Sequence, residues 1–221
     1  MLVIVARTSP KPSFDSMIRP PREQEDNEKE DVPLYVLSTT LLSVEADVTE
    51  DFSASHDKII ECITSCIHVA RLSDILEQQQ NLVHVFLISL SPGFPWTVKM
   101  SVFSSIKELC SRLQNNAHDY QDTSIHAGMT LVQELFSSVS PKVLECLSMV
   151  KIAQVHIAAS ECLMEVTNLY GLLPMVDGTE VGFKEELLKQ YEVEKNEQAK
   201  SLLKKCIDIL TNLEQKAIQT S

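Results

Sequence analysis

The sequence predicts an all-α fold, a stack of helix pairs, and three observations carry that prediction. Apolar residues recur at three- and four-residue steps from Pro33 to Ile218, and no segment alternates as a strand does. Only 5 glycines punctuate 221 residues, too few for a turn-dense β protein. Hydrophobic residues make up 44% of the chain, so most of it can bury a core.

Residues 1–32 stand apart. Pro10, Pro12, Pro20 and Pro21 interrupt the first part, and residues 22–31 hold six acids against two bases. Dense charge with little apolar area cannot offset the entropy of ordering, so this segment is expected to be a disordered acidic linker or docking tail. The helical region, 33–221, opens with Leu34, Leu37, Leu41, Leu42 and Val44 on one stripe behind Pro33, a plausible first-turn proline. Ser55 is a candidate N-cap for the next helix, whose face is Ile59, Ile60, Ile63, Cys66, Ile67 and Ala70. Leu82, Val83, Phe86, Leu87 and Leu90 make a shorter helix, stopped by Ser91-Pro-Gly-Phe-Pro95.

A helix from Trp96 to Leu113 follows, with Val98, Val102, Phe103, Ile106, Leu109, Cys110 and Leu113 inward. Gln114–Asp122 is polar and reads as a loop. Ser124–Ser137 is helical through Ile125, Met129, Val132, Leu135 and Phe136; Pro141 starts another helix with Val143, Leu144, Leu147 and Met149. The long run 150–170 ends at Gly171, with Pro174 just beyond. Phe183, Leu187, Leu188 and Tyr191 carry one further helix. Ala199, Leu203, Cys206, Leu210, Leu213 and Ala217 carry the last. Their 4-3-4-3-4 spacing is a heptad seam. Leu202, Ile207 and Ile209 widen it into the stripe of a helix packed on a neighbour, which is the reading favoured over a self-associating coiled coil. Residues 194–200 mix acids and lysines and allow Glu-to-Lys support along the exposed side.

Composition excludes several functions. The net charge of −12 argues against a nucleic-acid footprint. No apolar run reaches the length of a membrane helix, and the apolar start at Met1 is too short for a secretory signal. The six cysteines sit inside apolar helical patterns, as small buried hydrophobes would in a reducing compartment, cytosol or nucleus. No glycine spacing fits a P-loop or dinucleotide fold, and no His-Glu-x-x-His or Gly-x-Ser-x-Gly occurs. Cys62 and Cys66, with His68 nearby, share a helical face, but their isoleucine neighbours favour core thiols over a metal or redox pair. Trp96 is expected to pack at a helix start, with an interface anchor as the alternative. His156 is expected to be a satisfied, partly exposed side chain, with a pH-sensitive contact as the alternative. No catalytic, cofactor-binding or metal-binding residue is assigned, and no enzyme activity is expected.

The sequence also repeats. Val98-Lys-Met-Ser-Val-Phe-Ser-Ser-Ile aligns with Val155-His-Ile-Ala-Ala-Ser-Glu-Cys-Leu163, with an apolar residue, then Lys or His, then apolar again. Small residues such as Ser101, Ala158 and Ala159 permit close helix approach. These blocks resemble the second helix of HEAT repeats, as in HEAT/armadillo-like α-solenoids, whose helix pairs stack into a right-handed superhelix. The 57-residue offset exceeds the usual HEAT period of roughly 40–47 and calls for an extra helix or a long loop, with Gln114–Asp122 the candidate. Taken together, Trp96–Leu113, Ser140–Leu173 and Lys195–Lys216 resemble the C-terminal part of the proteasome adapter and scaffold family, very large HEAT-repeat proteins that associate with the 26S proteasome. The resemblance covers about residues 33–218. It implies a fragment of a longer solenoid, a non-enzymatic adapter that binds proteasome subunits and links them to other cellular components. It implies no cofactor and a cytoplasmic location, extending to the nucleus and to endomembranes reached through partners. The alternative is a helical-repeat transport or trafficking adaptor.

Overall fold

The computed structural model describes residues 56–115, 122–173 and 179–220. Over these it is 88% helix without a strand, which makes the fold all-α. The acidic segment, the stripe at 34–44 and Ser55 lie outside the described residues.

Helix α1, His56–Val69, buries the expected isoleucines together with Cys62 and Cys66. Helix α2, Leu72–Glu77, is only six residues long and was not anticipated from the sequence; it leads directly into α3, Gln79–Ser89. The Pro-Gly-Phe-Pro break then turns the chain into α4, Trp96–Asn115. Leu113 is buried, but the helix continues through Gln114 and Asn115, so the polar stretch expected to be a loop begins inside α4.

Helix α5 covers Asp122–Glu134 and α6 covers Ser140–Met149. The sequence suggested two separate helices here. They are instead joined by one π turn, Leu135–Val139. Pro141 supplies the reason. Proline has no N–H and its ring collides with the carbonyl four residues back in a regular helix. Widening the turn relieves that collision, and the Ser140 hydroxyl donates to the Leu135 carbonyl at 3.1 Å. The 57-residue offset thus spans α5, the π turn and α6; residues 116–121 of the expected loop lie outside the described residues. Met149, expected inward, is exposed.

Helix α7 runs Ala153–Tyr170 after an extended Val150 and Ile152. Gly171 caps it in ordinary right-handed geometry, so no positive φ explains the glycine. Space does bear on it. A Cβ there would sit 3.4 Å from the Ile209 side chain and from two helix carbonyls. Helices α8, Thr179–Val193, and α9, Glu197–Thr220, complete the described chain. Phe183 and Leu187 of α8 are buried, whereas Leu188, expected inward, is exposed.

Helices α1, α4, α7 and α9 form a series in which each packs against the next. A second series runs α3, the π turn, α6 and α8. One apolar core joins the two, with Phe86, Phe103, Phe136 and Tyr170 among its largest buried side chains. Phe136 stacks on Tyr170 with ring centroids 3.8 Å apart and meets Phe183 edge-on at 5.2 Å. Each buried Leu, Ile or Phe contributes about 1.5–3 kcal/mol relative to exposure, so this core dominates the stability of the fold. The heptad residues Ala199, Leu203, Cys206, Leu210 and Leu213 are buried, and α9 packs on α7 and α8. The seam is occupied within the chain. Ala217 lies outside the residues whose side chains are described.

Candidate functional site

The residues aligned by the repeat each sit at a junction between successive helices. Lys99 is the fourth residue of α4. It is buried, yet its ammonium donates to the carbonyls of Leu90 (3.2 Å) and Ser91 (2.6 Å), where α3 ends. The last carbonyls of a helix lack partners inside it, and a cation there also opposes the negative end of the helix dipole. Burial pushes the Lys99 ammonium below its ordinary pKa, while Cys146 and Glu145 act the other way.

His156 is the fourth residue of α7. Its Nε2 lies 2.6 Å from the carbonyl of Val150, the C-cap of α6. Its Nδ1 lies 2.8 Å from Glu194 Oε2. The imidazole is thus engaged at both nitrogens, as expected of a satisfied histidine. Glu194 was read as part of an exposed face and is instead buried. It precedes α9, and its Oε1 accepts the amides of Lys195 (2.9 Å) and Asn196 (2.8 Å). Burial alone would raise the carboxyl's pKa, but the Asn196 amide, His156 and the Lys195 amide hold it below the ordinary carboxylate value. Asn196 in turn caps α9 by accepting the Ala199 amide at 3.0 Å.

A third basic residue occupies the same place. Lys200 is the fourth residue of α9, and its ammonium lies 5.1 Å from the centre of the Tyr191 ring in the last turn of α8. From sequence, Lys200 is only one of the charges of residues 194–200 along the exposed side of its helix. The signal that would have found it is the 44-residue step from His156.

Polar contacts also stitch neighbours in the first series. Thr64 and Ser105 hydroxyls are 2.6 Å apart, and His68 lies 2.8 Å from Glu108, both between α1 and α4. Arg112 of α4 donates to the carbonyls of His68 and Ala70 at the end of α1. Lys107 pairs with Glu161 at 2.9 Å between α4 and α7. Trp96 is 45% exposed, so the packed tryptophan expected at the start of α4 faces solvent instead.

The nucleophiles are withdrawn from solvent. All six cysteines are buried free thiols. Burial pushes Cys110 and Cys206 up to about 12 and Cys146 up to about 11. Cys66 is raised by its hydrogen bond with Cys62 and by burial. A buried thiol held in its protonated form is a poor nucleophile. Among the described residues, no three of His, Cys, Asp and Glu are grouped to hold a metal ion, and His68 turns to Glu108 rather than to the Cys62–Cys66 pair. His56 Nε2 and Ser89 Oγ share a hydrogen bond of 2.9 Å, but both residues are buried, and the contact joins α1 to α3. No helix among the described residues is long and apolar enough to cross a membrane.

Open grooves on the surface of the described residues include two that border these contacts. One runs between α1 and α4, over Thr64, His68, Val69 and Ser104. The other lies between the α6–α7 and α8–α9 connections, over Leu147, Lys151, His156 and Lys195. No family model matches the chain, and no curated protein and no solved structure does either.

Proposed function

We propose that this chain is a non-catalytic protein-binding scaffold, a right-handed stack of HEAT-like helix pairs, and that its partner is the proteasome. One observation supports the stack above the rest. Lys99, His156 and Lys200 stand fourth in α4, α7 and α9, and each engages the C-terminal end of the helix before it. The pairs are then α3 with α4, α6 with α7, and α8 with α9. The 44-residue step from His156 to Lys200 falls within the HEAT period. In such a stack each pair contacts only its neighbours, leaving extended faces for a partner.

The proteasome assignment rests on the similarity of 96–113, 140–173 and 195–216 to the adapter and scaffold family. The non-catalytic reading draws on the burial of the six thiols and on His56 and His156, whose ring nitrogens are bonded within the fold. Capture of purified 26S proteasomes by the immobilised chain tests the reading. Capture that free chain competes away supports it. Recovery of transport receptors or coat subunits from extract, with no binding of purified proteasome, replaces it with the trafficking adaptor.

A further inference from the structure

We propose that the groove between the α6–α7 and α8–α9 connections docks an acidic peptide segment of a protein partner, one that also carries an apolar side chain. The chain has 31 acids against 19 bases, so a surface lysine has many carboxylates available. Lys58, Lys107, Lys142, Lys184 and Lys204 each pair with one. Lys151 and Lys195, which flank this groove, are both exposed and pair with no carboxylate among the described residues. The one carboxylate lining the groove, Glu194, is buried and already bonded to His156 and two backbone amides. Glu192 and Glu197, nearby in sequence, are not part of the lining. Lys189 and Lys205, exposed elsewhere, also pair with no carboxylate among the described residues; the groove differs in bringing two such lysines to one concave surface whose single carboxylate is already bonded, so among the described residues its charge complement is an anion.

The remaining lining narrows the class. Val193 is 65% exposed beside Leu147, which favours an apolar side chain over a free phosphate. The Ser148 hydroxyl donates to Gln190 Oε1 at 3.2 Å and fixes the amide orientation, leaving the Gln190 nitrogen to meet a peptide carbonyl. Two lysines on a chain of net charge −12 do not make a nucleic-acid footprint. The volume, about 730 Å3, is that of a few peptide residues. This docking is independent of the proteasome assignment, because it specifies only local chemistry.

The test uses the full chain and a fluorescein-labelled probe, Gly-Ser-Asp-Leu-Glu-Asp-Gly, read by fluorescence polarisation. We expect saturable binding, weakened at least about tenfold by the double substitution Lys151→Glu and Lys195→Glu. Lys151→Arg with Lys195→Arg should retain it, and a probe with Ser in place of Leu should bind more weakly. Both lysines are exposed, so circular dichroism of the charge-reversed chain should match wild type. Lack of saturable binding overturns the proposal. So does binding that the charge reversal leaves unchanged, or equal binding of a probe with Lys in place of its acids.

Discussion

Lys99 and His156 do the same work 57 residues apart: each, as the fourth residue of its helix, donates to a carbonyl where the preceding helix ends. The equivalence links an alignment of two sequence blocks to a shared hydrogen-bonding role. It also separates the two residues in kind, because His156 reaches onward to Glu194 while Lys99 donates to two successive carbonyls.

Lys99→Met keeps the stem's volume and removes the donor. The carbonyls of Leu90 and Ser91 then lose their cation in a buried setting, at a cost of about 2 kcal/mol. Urea unfolding checks this, with a lower midpoint and an unchanged slope expected. Equal stability of wild type and variant would show that the ammonium does not hold the end of α3.

Glu194→Ala leaves His156 and two amides without their acceptor in a part-buried setting and should cost about 1–3 kcal/mol at neutral pH. The pH dependence has a definite sign. The carboxyl is held below its ordinary value in the folded chain. Between the unfolded and folded values the unfolded chain binds the extra proton, so stability falls as pH falls. The gap between wild type and Glu194→Ala is full above the ordinary carboxylate range and closes as pH drops through the folded value. Thermal unfolding across that range measures it; a gap that widened on acidification would reverse the assignment.

The six thiols should be silent toward a disulfide reagent such as Ellman's in the native chain and all react once guanidinium unfolds it. Rapid reaction of Cys110, Cys162 or Cys206 under native conditions would contradict the burial of the α4–α7–α9 core, and rapid reaction of Cys62, Cys66 or Cys146 the burial of α1 or α6. Trp96, the single tryptophan, reports the opposite condition. Being 45% exposed, it should be quenched readily by acrylamide before unfolding.

Much of the fold was legible because long helices write a stripe. Ile59, Ile63 and Ile67, or Val102, Ile106 and Leu109, recur often enough for the period to be read. Helix α2 was missed because six residues hold too little of a period. The π join was missed because proline normally ends a helix, and only the wider turn lets α5 run into α6. Leu188 and Met149 were read inward from periodicity alone, although α8 and α6 expose those positions. Glu194 was misread for an electrostatic reason. A glutamate in a run of charges looks solvated, and the partners that let it be buried are two backbone amides, which no side-chain pattern reveals, and His156, 38 residues earlier.

The most direct test of the account is quantitative binding of purified 26S proteasome to three forms of the chain: wild type, Ala159→Arg, and a deletion of residues 1–32. Ala159 is fully buried on α7, so arginine there introduces an unpaired charge into a packed helix contact and should cost several kcal/mol. Wild type and the deletion should bind alike, and Ala159→Arg should lose binding together with helicity. Exposed single substitutions should each change affinity by less than about 1 kcal/mol, because a stack spreads its contacts. A wild-type chain that does not bind the purified proteasome, or one whose binding resides entirely in residues 1–32, would contradict the account.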